Sequence, residues 1–75
     1  MLITINKDDK VVFISEVEDF GAFCPVTVPK NSIGKVKEVT EWNGVIWYKI
    51  VVNLFIIDKY IDWIVDVPRK YIALI

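Results

Sequence analysis

Three carboxylates spaced four residues apart, Asp58, Asp62 and Asp66, are the side chains of this sequence best supplied for general acid–base work. Such work needs a base, acid or nucleophile partner within hydrogen-bond reach, and the chain contains no histidine to serve as one. Asp62 and Asp66 lie an even number of residues apart in an alternating segment, which puts both on the outward face of one strand, where solvated carboxylates are expected. The one cysteine, Cys24, stands between Phe23 and Pro25 with Val26 beyond. No positive charge there lowers its pKa, so a buried or inert thiol is expected. A lone cysteine also excludes an internal disulfide and a thiolate metal cluster, and the missing histidine removes the commonest ligand of zinc and haem sites. The expectation is a non-enzymatic protein with no catalytic residue, metal or cofactor, in a reducing cytoplasm.

Seventy-five residues supply a single domain, residues 1–75, and a chain of this length buries only roughly 60% of the surface its unfolded form exposes. High apolar content must compensate. Hydrophobic residues make up 55% of the sequence and aromatics 13%, far from a disordered composition, and the excess over what one small core can hide implies a contact patch on the surface. Nine basic and ten acidic residues give a net charge of -1, without the basic excess of a phosphate-neutralising protein. The first residues, Met1-Leu2-Ile3-Thr4-Ile5, run directly into Lys7, Asp8 and Asp9, unlike a signal peptide. The apolar runs at 45–48 and 50–57 are interrupted by Lys49, Asn53 and Asp58, well below the ~20 residues that span a bilayer. Neither secretion nor membrane insertion is expected.

Val and Ile prevail over Ala and Leu, and β-branched side chains favour a pleated surface. Short Val, Ile and aromatic runs bounded by Asp, Asn, Gly and Pro recur, so the fold class is all-β. Five strands are expected. The first covers residues 10–15 and is followed by a long loop over 16–32 marked by Gly21, Pro25 and Pro29; residues 3–5 could add a short strand. The second covers 34–40, where Val36 and Val39 fall out of period two and require a β-bulge or a strong bend if both are to face inward. Trp42-Asn43-Gly44 then reads as a tight hairpin turn, because Asn-Gly accepts positive φ angles. The third strand covers 45–52, with 54–57 as either its extension or part of a connection containing Asn53, Asp58 and Lys59. In the fourth, Ile61, Trp63, Val65 and Val67 form one apolar face. Pro68 ends it, residues 68–71 form a 3-10 turn, and 72–75 form the last strand.

Three segments carry a family resemblance: Lys30-Asn31-Ser32-Ile33-Gly34-Lys35-Val36-Lys37-Glu38-Val39, Trp47-Tyr48-Lys49-Ile50, and Val67-Pro68-Arg69-Lys70-Tyr71-Ile72. They resemble, in that order, the loop leading into the second strand, the paired aromatics of the third, and the Pro-x-x-Tyr turn of SH3-like small barrels. The likeness covers about residues 10–75. It implies a small five-stranded SH3-like barrel with a 3-10 turn before the last strand. Val11-Val12-Phe13-Ile14-Ser15 stands where peptide-binding SH3 domains carry Ala-Leu-Tyr-Asp-Tyr, so the resemblance implies the barrel without implying a proline-rich ligand. Looser likenesses are to the variable chain of ferredoxin–thioredoxin reductase and to KOW-type barrels.

The resemblance implies that Trp47, Pro68 and Tyr71 converge beside the loop carrying Glu16, Glu18, Asp19, Phe20 and Phe23. An aromatic shelf next to acids suits an extended peptide with a basic anchor. The competing expectation is that these aromatics complete a small core and the acids are solvated. Trp42, at a hairpin tip, is either a binding anchor or folded over its own strands; Trp63 belongs to the core. The expected function is a protein-binding module or a small regulatory or inhibitory subunit, engaging a peptide segment or a larger assembly. A homodimer or a phage or mobile-element accessory protein is compatible with the size. The alternative is a KOW-like RNA- or DNA-binding barrel using Lys35, Lys37 and Lys70 with a stacking aromatic.

Overall fold

The structure, a computed structural model, describes residues 4–20, 25–56 and 58–75. Its described residues form seven strands: β1 (Lys10–Phe13), β2 (Val17–Phe20), β3 (Pro25–Val28), β4 (Ile33–Trp42), β5 (Val45–Ile56), β6 (Lys59–Pro68) and β7 (Ile72–Leu74). A 3-10 turn, Arg69–Tyr71, separates the last two, and the described residues contain no α-helix. The domain is therefore all-β. Five strands make one antiparallel sheet in the order β6-β5-β4-β1-β7, and β2 and β3 make a separate two-stranded one. The sheet edges β6 and β7 share no ladder, so pairing among the described residues does not close the sheet into a barrel.

Alternation along β5 decides what the large sheet buries. Tyr48, Ile50, Val52 and Leu54 all point to one face and are all buried. In antiparallel register Val67 lies opposite Tyr48 and Val65 opposite Ile50, while Val36 of β4 lies opposite Ile50 from the other side. Val11, Phe13 and Ile72 continue this face, and Val26 and Val28 of the small hairpin join the same core. Each fully buried Val, Ile or Phe contributes roughly 1.5–3 kcal/mol, which offsets the small size of the chain.

Gly34 is required where β4 pairs with β5. A Cβ there would lie 2.5 Å from Ile50 Cγ2 and 2.9 Å from the Val51 carbonyl oxygen, so only a residue without a side chain lets the strands approach. Two positions further, register shifts between Val36, opposite Ile50, and Glu38, opposite Lys49, leaving Lys37 as the extra residue of a β-bulge. The bulge returns Val39 to the face of Val36, opposite Tyr48. Val39 nevertheless stays exposed, on the wall of an open groove that Ile46 and Tyr48 also line. Asn43 and Gly44, at φ 52° and 78°, make the tight turn, with Trp42 and Val45 as its closing pair.

Other expectations need correction. Within the expected loop 16–32, Val17–Phe20 and Pro25–Val28 are strands: Val17 pairs with Val28 and Asp19 with Val26 in the antiparallel β2–β3 pair. Pro25 disguises it, yet a proline is tolerated as the first residue of a strand. β1 ends at Phe13, two residues earlier than expected, because Asn31 N–H and Tyr71 C=O take over its bonding there. Asn53 lies inside β5 rather than in a connection. Its amide donates to Asp62 Oδ1 across the ladder at 3.1 Å on the outward face, so a polar pair passes through two apolar strands without breaking them. β5 accordingly reaches Ile56 and β6 starts at Lys59. Thr4 and Ile5 form no strand. The chain instead meets β4 through Asp8 and Asp9, with Asp8 N–H donating to the Val36 carbonyl (2.7 Å) and Val36 N–H to the Asp9 carbonyl (2.9 Å). Expectations on Ile3, Gly21, Phe23, Cys24 and Ile57 fall outside the described residues. No helix among the described residues is long and apolar enough to cross a membrane.

Candidate partner-binding groove

β5 and β6 place Trp47 directly opposite Pro68, and the 3-10 turn that follows Pro68 carries Tyr71 to the same side. The turn is held from within and from outside: Arg69 Nη1 donates to the Ile72 carbonyl, and the Ile14 N–H donates to the Tyr71 carbonyl (2.9 Å). Trp47, Pro68 and Tyr71 are each half-buried, and with Glu16 and Glu18 from the β2 side they line an open groove of about 410 Å³. Asp66 and Lys70 stand on its rim.

The charge of this groove is acidic. Glu16, Glu18 and Asp66 face one ammonium, that of Lys70, which sits 5.3 Å from the Tyr71 ring centroid. Among the described residues no ion pair neutralises any of the three carboxylates; the two ion pairs found, Lys35 with Asp8 (3.9 Å) and Lys49 with Glu38 (3.8 Å), lie elsewhere. Flat aromatic and proline surfaces beside unpaired acids can hold apolar and cationic side chains of one extended segment together.

The expected residues divide. Trp47, Pro68, Tyr71 and Glu18 come together. Asp19 does not: it shares a face with buried Val26, and its Oδ2 accepts a 2.8 Å hydrogen bond from Trp63 Nε1. Phe20 ends β2 opposite Pro25. Trp42 is 69% exposed at the hairpin tip and contributes nothing to the groove. Trp63 packs against the core, only partly buried. Of the lysines in the nucleic-acid alternative, Lys35 and Lys37 border a larger, mostly apolar groove beside Asp8 and Val39, whereas Lys70 belongs to the aromatic one. They form no common stripe, and Lys35 is already paired.

Asp66 is a groove residue that sequence reasoning assigned only to a solvated face. The signal was available: Asp66 and Pro68 are two residues apart on β6, so a groove built on Pro68 carries Asp66 on its wall. Among the described residues, no three His, Cys, Asp or Glu side chains come together as a metal-holding group.

An all-β domain with one acid-rimmed aromatic groove defines a class of architecture and surface. Comparison with protein-family models, curated proteins and solved structures returns no match to this chain.

Proposed function

We propose that this chain is a protein-binding module of SH3-like architecture that holds an extended segment of another protein, with a basic side chain, in the groove of Trp47, Pro68 and Tyr71. The convergence of these three residues with Glu16, Glu18 and Asp66 carries this reading. The architecture is supported by the succession of parts: a first strand, a long excursion, three meandering strands, a 3-10 turn and a short last strand that pairs with the first. The groove supplies apolar area for the partner's side chains and unneutralised carboxylates for its charge. As a regulatory or inhibitory subunit, the domain would act by occupying its partner.

The test is capture from lysate with the wild type beside a Trp47→Ala, Tyr71→Ala variant of unchanged circular dichroism, with and without nuclease. The expected result is a protein recovered by the wild type alone and insensitive to nuclease. Equal recovery by both forms removes the groove from the function, and nuclease-sensitive recovery of ribonucleoproteins replaces a protein partner with a nucleic acid.

A further inference from the structure

Strand β2 carries carboxylates on both faces, and one hydrogen bond sorts them. Val17 lies opposite Val28 and Asp19 opposite Val26, and both of these partners are buried; Glu18 between them lies opposite exposed Thr27. Asp19 therefore points toward the sheet and Glu18 away from it, onto the groove. Facing the sheet, Asp19 meets a specific donor: Trp63 Nε1, 44 residues on in the sequence, at 2.8 Å. The indole ring is fixed by packing against the core, and its only donor is spent on this carboxylate.

A two-stranded hairpin of four-residue strands is marginal by itself, and a slip of one residue exchanges its two faces. The slip would turn Glu18 toward the core and Asp19 outward. Apolar packing of Val17, Val26 and Val28 resists it, yet valine fits many partners, whereas an indole N–H and a carboxylate meet in one register only. We infer that the Trp63–Asp19 bond is a register latch: Asp19 and Trp63 are positioning residues that anchor the β2–β3 hairpin on β6 and so present Glu18 to the groove. Its role in binding rests on the groove reading above, but the latch itself can be tested without a ligand.

Amide hydrogen exchange by NMR would be measured for wild type, Trp63→Phe, Asp19→Ala and Asp19→Asn. Losing a partly buried hydrogen bond to a charged group is expected to lower protection of the β2–β3 ladder by about tenfold in Trp63→Phe and Asp19→Ala, with the β4–β5 ladder unchanged. Asp19→Asn keeps an acceptor oxygen and should restore most of that protection. Should Trp63→Phe fail to fold, Asp19→Ala decides, since it leaves the indole packing in place. Equal loss in both ladders, or none, would overturn the latch. In parallel, a blocked peptide of alternating arginine and proline is titrated against the Trp47 indole resonance, where Asp19→Ala should weaken binding severalfold although Asp19 does not line the groove. If the wild type does not bind the peptide while the exchange result holds, the groove reading fails and the latch stands.

Discussion

Trp47 on β5 and Pro68 on β6 are cross-strand partners, so the floor of the groove is made by the regular register of two long strands and not by a loop. Such a floor is held by ladder hydrogen bonds before a ligand arrives, which lowers the ordering entropy that opposes binding. Trp47 is only half-buried, so its removal costs the fold little. Trp47→Ala should leave the unfolding free energy within about 1 kcal/mol of wild type while lowering affinity for the protein partner by about thirtyfold or more, as for a central aromatic anchor. Isothermal titration beside urea unfolding separates the two effects. A parallel fall in both would mean that Trp47 serves the core alone.

Gly34 bears on stability rather than binding. With a Cβ in contact with both Ile50 Cγ2 and the Val51 carbonyl oxygen, Gly34→Ala must push β4 away from β5 at the centre of the sheet. The expected loss is about 1–3 kcal/mol, the usual cost of overpacking, read as a lower urea midpoint at unchanged m-value. Because β4 also pairs with β1, the variant should affect both ladders together.

Turn chemistry at the other end of β4 behaves differently. Gly44 sits at φ 78° with open space around its Cα, so alanine there meets no clash and suffers only the backbone penalty of that conformation, about 1 kcal/mol. Residues 38–46 are all exposed. Gly44→Ala should therefore fray the tip, raising exchange at the Trp42–Val45 pair, while the core ladders keep their protection.

These positions also mark what the sequence made legible. Asn43-Gly44, the bulge or bend between Val36 and Val39, the alternation of Ile61 to Val67 and the Pro68 turn were readable because each rests on local backbone chemistry or on strict periodicity. The β2–β3 hairpin was not, since two four-residue strands, one with two adjacent acids and the other opening on a proline, carry no period strong enough to outweigh loop-like composition. Nor was the exposure of Val39, since period and bulge settle which face a side chain takes and not what the rest of the fold lays over it. Of the groove, Trp47, Pro68, Tyr71 and Glu18 were identified through a family resemblance, whereas the inward turn of Asp19 follows from a register set by Val26 and Val28, a long-range fact that adjacency to Glu18 disguised.

The acids at the groove rim should govern how quickly a partner arrives more than how long it stays. Glu18 is exposed, lies opposite Thr27 and has no ion-pair partner among the described residues, so reversing its charge disturbs no packing. For a basic ligand segment, Glu18→Lys places a second ammonium beside Lys70 and takes the groove from three acids and one base to two of each, which removes its net negative charge. The expected result in surface plasmon resonance is a fall in the association rate of about tenfold at low salt that shrinks as salt is raised, with a dissociation rate that changes much less. A wild-type association rate that ignores ionic strength would show that the carboxylates do not meet a cation. The ligand would then be held by Trp47, Pro68 and Tyr71 through apolar contact alone, and Glu18→Lys would leave both rates as they are.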